Sequence, residues 1–103
     1  MTYTRAQAYA DGVLTDVTDI AREVGFKLPV ALTIGALEAA VGNCHGETER
    51  GRLLDVLSRA AYAACAGGLE VHFESRGVRL TAAMGTGDAG EPVCTILVPS
   101  ENM

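Results

Sequence analysis

Residues 69–98 read LEVHFESRGVRLTAAMGTGDAGEPVCTILV, and their pattern decides the fold. Strands are predicted at 69–74, 78–84 and 93–98. In the first, Leu69, Val71 and Phe73 alternate with Glu70, His72 and Glu74, the period of two of a half-buried strand. In the second, Val78, Leu80 and Ala82 alternate with Arg79, Thr81 and Ala83. A tight turn at Ser75-Arg76 sets Phe73 opposite Val78, Val71 opposite Leu80 and His72 opposite Arg79. A one-residue slip would turn Glu74 and His72 onto the apolar face, so this register is favoured. The third strand, PVCTILV, is apolar on both sides, which means either cover on both sides or a self-association surface. The intervening loop, 85–92, fits G-x-G-x-x-G in its first six residues. A dinucleotide site needs a helix after those glycines to receive the pyrophosphate. Here Pro92 and a strand follow, so the loop is read as a hairpin connection.

Upstream, the periodicity is helical. The longest helix is expected at 47–65, with Leu53, Leu54, Val56, Leu57, Ala60, Ala61 and Ala64 inward. Arg52, Asp55 and Arg59 are expected to face water. Thr33 should cap a helix running to Val41, with Ile34, Leu37 and Val41 inward, and Thr4 should cap one at 5–10. Thr15 should cap another, in which Val17, Ile20, Ala21 and Val24 share a face and Gly25 is the stop. The segment 26–32, FKLPVAL, is short and interrupted by Pro29, an edge strand or extended linker. The expected fold is one α+β domain over 1–103. Three or four helices pack on one face of a three-stranded antiparallel β-meander, with FKLPVAL as a candidate fourth strand.

Composition narrows the function. An apolar fraction of 49% excludes a disordered chain, and 5% aromatics without Trp implies a core of Ala, Leu and Val. A net charge of −5 argues against direct nucleic-acid binding, which needs clustered Lys and Arg. No run is long and apolar enough for a membrane span, and MTYTRAQAYADG lacks the apolar core of a leader. A cytoplasmic location is expected, with Cys44, Cys65 and Cys94 as buried reduced thiols. Cys44-His45, Cys65, His72 and Cys94 lack the paired spacing of a zinc site, and adjacent Cys44 and His45 do not form a thiolate–imidazolium pair. Neither a cofactor nor a metal is expected.

The acidic residues are the main interaction signal. Asp16, Asp19 and Glu23 form a stripe on the expected second helix, with Asp11 close by. The helix dipole favours the first two, but Glu23 lies near the wrong end and repels Asp19. Asp88 and Glu91 make a smaller acidic loop, and Glu70 and Glu74 flank His72 on the outer strand face. Such a set fits a basic protein surface, of the kind that normally holds nucleic acid.

Two stretches carry a resemblance: YTRAQAYADGVLTDVTDIAREVGFKLPVALT at 3–33 and VRLTAAMGTGDAGEPVCTILVPSEN at 78–102. Their RAQA-DGVL-DV and GD-GEPV-TI strings resemble a family of small proteins encoded by phages, plasmids and other bacterial mobile elements. The stretches span about half of the chain, and Thr86 departs from the family's usual Pro. The resemblance implies a mobile-element protein and assigns no catalytic residues. With small size, acidity and no catalytic motif, the expectation is a non-enzymatic inhibitor of a host protein complex. The specific case is an anti-CRISPR protein that blocks DNA binding by a CRISPR effector. The alternatives are an accessory or regulatory protein of a plasmid or phage, or a small ligand-binding domain. The apolar strand 93–98 and the Ala-rich helix are compatible with a homodimer.

Overall fold

Cys94 and Ile96 are fully buried and Val93 nearly so, because their strand lies in the middle of a sheet. The computed structural model describes residues 3–42, 49–65 and 67–99. The elements are α1 (Arg5–Ala10), β1 (Leu14–Asp16), α2 (Thr18–Glu23), β2 (Val30–Thr33), α3 (Ile34–Ala40), α4 (Glu49–Ala64), β3 (Glu70–Ser75), β4 (Val78–Thr86) and β5 (Pro92–Leu97). The sheet runs β1-β2-β5-β4-β3. β2 and β5 are parallel, and the other neighbours are antiparallel. The chain is thus α+β, with four helices and a five-stranded mixed sheet among the described residues, in place of the expected three-stranded antiparallel meander.

Two strands account for the difference. β2 begins just after Pro29, so the ring lies outside the ladder and Pro29 contributes only its carbonyl, to the Cys94 amide at 2.9 Å. Val30–Thr33 therefore sits inside the sheet, not at its edge. β1 is only three residues long, too short for alternation to register, and Thr15 and Asp16 read locally as cap residues. Pairing of Leu14 with Thr33 and Asp16 with Ala31 makes it a strand, and α2 starts two residues later, at Thr18.

One face of the sheet carries Val30, Leu32, Leu80, Ala82, Cys94 and Ile96 into the core. Val17 and Ala21 of the α2 turn, Ala36 and Ala40 of α3, and Leu53, Val56, Leu57 and Ala60 of α4 cover it. α1 lies on the other face, because its Arg5 reaches Thr95, which alternates with core residues Cys94 and Ile96. Burial of a Leu or Ile side chain stabilises by about 1.5–3 kcal/mol. The half-exposed Arg50–Glu23 ion pair that ties α4 to α2 contributes about 1 kcal/mol at most. The apolar layer therefore carries the stability.

Local details correct the sequence reading further. Thr4 and Thr33 do cap α1 and α3, the former in a capping box with Gln7. Ile34, however, is 43% exposed, whereas Val41 is buried and Leu37 packs against the core as expected, with Ala36 and Ala40 buried beside them. Arg52 is buried rather than solvent-facing: its Nε and Nη2 donate to the Ala40 carbonyl at 3.0 and 2.6 Å, capping the C-terminus of α3. Cys65 is exposed, whereas Cys94 is buried; Cys44, His45 and Glu47 lie outside the described residues. The β3–β4 register is shifted by two residues, with Phe73 opposite Leu80, Val71 opposite Ala82, His72 opposite Thr81 and Glu74 opposite Arg79. The turn is Arg76-Gly77, with φ of +50° and +85°. These are the left-handed conformations of a two-residue hairpin turn that matches strand twist. Ser75 is fully buried beside this turn and donates its hydroxyl to Asp55.

Because open space surrounds a Cβ at Gly77, Gly77→Ala tests the backbone alone. Urea denaturation should show a loss of about 1 kcal/mol. Leu57→Ala, in the closed core, should cost about 2–5 kcal/mol in the same assay.

Candidate functional site

α1 has six residues, so most of its amides need partners from outside the helix. Thr4 Oγ1 accepts from Gln7 N at 3.0 Å. The amides of Arg5 and Ala6 donate to the two carboxylate oxygens of Asp88, at 2.8 and 2.9 Å. Asp88 thereby fastens the loop at 87–91 to the start of the chain. These two amide bonds hold its carboxyl below the ordinary value of 3.8, with the Arg5 charge adding to them. The loop is shaped for this by its own contacts. Gly87 N donates to Glu91 O at 2.7 Å, Gly90 N to Gly87 O at 3.0 Å, and Ala89 N to Glu91 Oε1 at 3.0 Å. The Glu91 carboxylate folds over Gly87, where a Cβ would stand 2.5 Å from its carboxyl carbon.

Arg5 makes the second connection. Its Nη1 donates to Thr95 Oγ1 at 2.8 Å and its Nη2 to the Cys94 carbonyl at 3.2 Å. Its guanidinium also stands 5.7 Å from the centre of the Tyr9 ring. The sequence reading did not single out Arg5, Tyr9, Thr18 or Arg22. For Arg5 no local signal exists, since its sheet partners lie about ninety residues away.

These contacts frame a cleft of about 400 Å³ between α1, α2 and the 87–91 loop. Asp16, Asp19, Asp88 and Glu91 line it, against Arg5 and Arg22. Asp16 is on β1, not on the helix; its Oδ1 accepts from the Thr18 amide at 3.1 Å and from the Thr18 hydroxyl. Asp19, at the first turn of α2, has a 99% exposed side chain 3.7 Å from Arg22. The four carboxylates outweigh the two cations among the described residues that line the cleft. Such a pocket suits a Lys ammonium or Arg guanidinium.

The remaining expected interaction residues lie elsewhere. Asp11 accepts from the Tyr3 hydroxyl at 2.8 Å, which raises the Tyr3 pKa. Glu23 pairs with Arg50, which accounts for an acid that α2 alone does not explain. Glu70 and Glu74 are on β3, at the opposite side of the sheet from β1. His72 Nδ1 is 3.0 Å from Thr81 Oγ1, and Thr81 is buried, so the outer patch is narrower than its sequence suggests. Among the described residues, no three His, Cys, Asp or Glu side chains converge on a metal-sized site, and no helix is long and apolar enough to cross a membrane.

No protein family, curated protein or solved structure matches the chain.

Asp88 has a lowered pKa, so its stabilising effect is fully present above the ordinary carboxyl value and is lost as pH falls through the depressed one. Asp88→Asn should lower the melting temperature at neutral pH. Its deficit against the parent should close on acidification below about pH 4, measured by circular dichroism. Burial pushes the Cys94 thiol up to about 11, against a smaller opposing effect of Arg5. Alkylation of the native protein, mapped by mass spectrometry, should therefore modify Cys65 rapidly and Cys94 only after unfolding.

Proposed function

We propose that this chain is a non-enzymatic inhibitor encoded by a mobile element, which binds a host protein complex through its acidic cleft. The observation that carries this reading is the origin of the cleft residues. All of the described residues that line it come from the two stretches, 3–33 and 78–102, that resemble the mobile-element family. Residues far apart in sequence are thus brought together as one acidic surface. The net charge of −5 directs that surface toward a basic partner and away from nucleic acid itself.

The partner class is a protein whose Lys and Arg otherwise hold DNA, with a CRISPR effector as the specific case. One exposed cation of the effector enters between Asp19 and Glu91, and the body of the inhibitor covers the DNA path. Occupancy of this kind needs no catalysis. It also makes association fast at low salt and weaker as ionic strength rises.

Asp19→Lys is the most informative variant, because its side chain is almost wholly exposed. Surface changes of this kind shift stability by about 0.5 kcal/mol or less. Binding to a purified effector should fall at least about tenfold, or about 1.4 kcal/mol, with the melting temperature preserved. Phage plaque counts on CRISPR-immune cells that express the parent chain should rise, and the variant should not raise them. No rise with the parent across several effector types would overturn the CRISPR assignment. Full inhibition by Asp19→Lys would remove the cleft from the account.

A further inference from the structure

β3 is the last strand of the sheet, on the side away from the cleft. Leu69 O accepts from Met84 N at 2.7 Å, and Ser75 faces Val78 across the turn. Odd-numbered residues of β3 therefore bond to β4, and the amides and carbonyls of Glu70, His72 and Glu74 point outward. Exposed edges are ordinarily blocked by Pro, by charged side chains (Lys above all) or by a bulge. The sequence of β3, EVHFES, has no Pro or Lys, its pairing with β4 is continuous, and the charges on it, Glu70 and Glu74, must be accommodated by whatever pairs with it. Beside it, Leu69 is 80% and Tyr62 of α4 86% exposed. A groove of about 560 Å³ separates this edge from α4, with Tyr62, Ala63 and Phe73 beside Asp55 and Arg59.

We propose that this edge is a dimer interface, in which β3 pairs antiparallel with β3 of a second copy about a two-fold axis at Val71. The register follows from the sequence, because only the even-numbered residues can exchange main-chain bonds across the new contact. An axis at His72 sets Glu70 against Glu74 twice, a like-charge clash. An axis at Phe73 sets Leu69 opposite Gly77 and leaves it uncovered. An axis at Val71 sets Leu69 opposite Phe73 and Val71 opposite itself. It also sets Glu70 opposite His72, so carboxylate meets imidazole and the two residues exchange main-chain bonds on both sides of the axis. This self-complementarity selects a second copy over a foreign peptide as the occupant. Tyr62 and Leu69 of both copies are covered, and the two sheets become continuous. The acidic clefts stay open at the far ends, so the proposal stands independently of what they bind.

Sedimentation equilibrium on the full chain should show the mass climbing from 10.7 kDa toward twice that value as concentration rises to about 1 mM. Glu70→Pro removes one outward N–H without touching a β3–β4 bond, and Tyr62→Glu places charge in the apolar contact. Both should stay monomeric with the parent's circular dichroism spectrum. With Cys44 and Cys65 replaced by Ser, Val71→Cys should form an intermolecular disulfide on air oxidation, since residues facing across such a pair lie about 4.5 Å apart at Cα. A parent chain that remains monomeric throughout overturns the proposal. So does a dimer that persists in both edge variants, or cross-linking by Phe73→Cys in place of Val71→Cys.

Discussion

The parallel pairing of Val30–Leu32 with Cys94–Ile96 is the constraint on which the rest of the structure depends. It joins the first third of the chain to the last. Parallel neighbours need a long crossover, and here it includes α3, α4 and the β3–β4 hairpin. Those helices have apolar faces to bury and the hairpin supplies one side of the sheet, so the crossover is also the core. Once β2 and β5 are adjacent, Asp88 can reach the amides of α1, and Arg5 can reach Thr95. The acidic cleft is a consequence of that strand order. It depends on the non-local pairing, not on any one element.

Charges in this molecule divide by task. Arg52, Asp88 and Asp16 satisfy backbone groups at element ends, where a charged partner is favoured by both hydrogen bonding and the helix dipole. Glu23 and Asp55 hold elements together, the first through Arg50 and the second through Ser75 and Arg76. Asp19 has neither duty beyond a weak, exposed contact with Arg22. A residue so placed contributes little to folding and is free to contribute to recognition.

Much of the fold was legible. The Thr4 and Thr33 caps, the apolar face of α4 and the sidedness of β3 and β4 all rest on local pattern, and local pattern survives folding. The β3–β4 register did not, because a two-residue shift keeps every side chain on its face; only the turn at Arg76-Gly77 distinguishes the two alignments. β1 was hidden because Leu14–Asp16 is a strand only by virtue of β2. Arg52 was misplaced because its charge suggested water, whereas its partner is a carbonyl on another helix. For the site, Asp16, Asp19, Asp88 and Glu91 were recognisable as acidic features, but as two separate ones. Their union, and the part of Arg5, required the tertiary pairing.

The most direct measurement is an amide chemical-shift titration of the labelled protein with a short Arg- and Lys-rich peptide at low ionic strength. Binding at the cleft should give saturable shifts confined to Arg5–Ala10, Thr18–Glu23 and the loop at 87–91, lost in Asp19→Lys. Shifts centred on α4 and β3, or spread evenly over every acidic residue, would rule out the cleft as the binding surface.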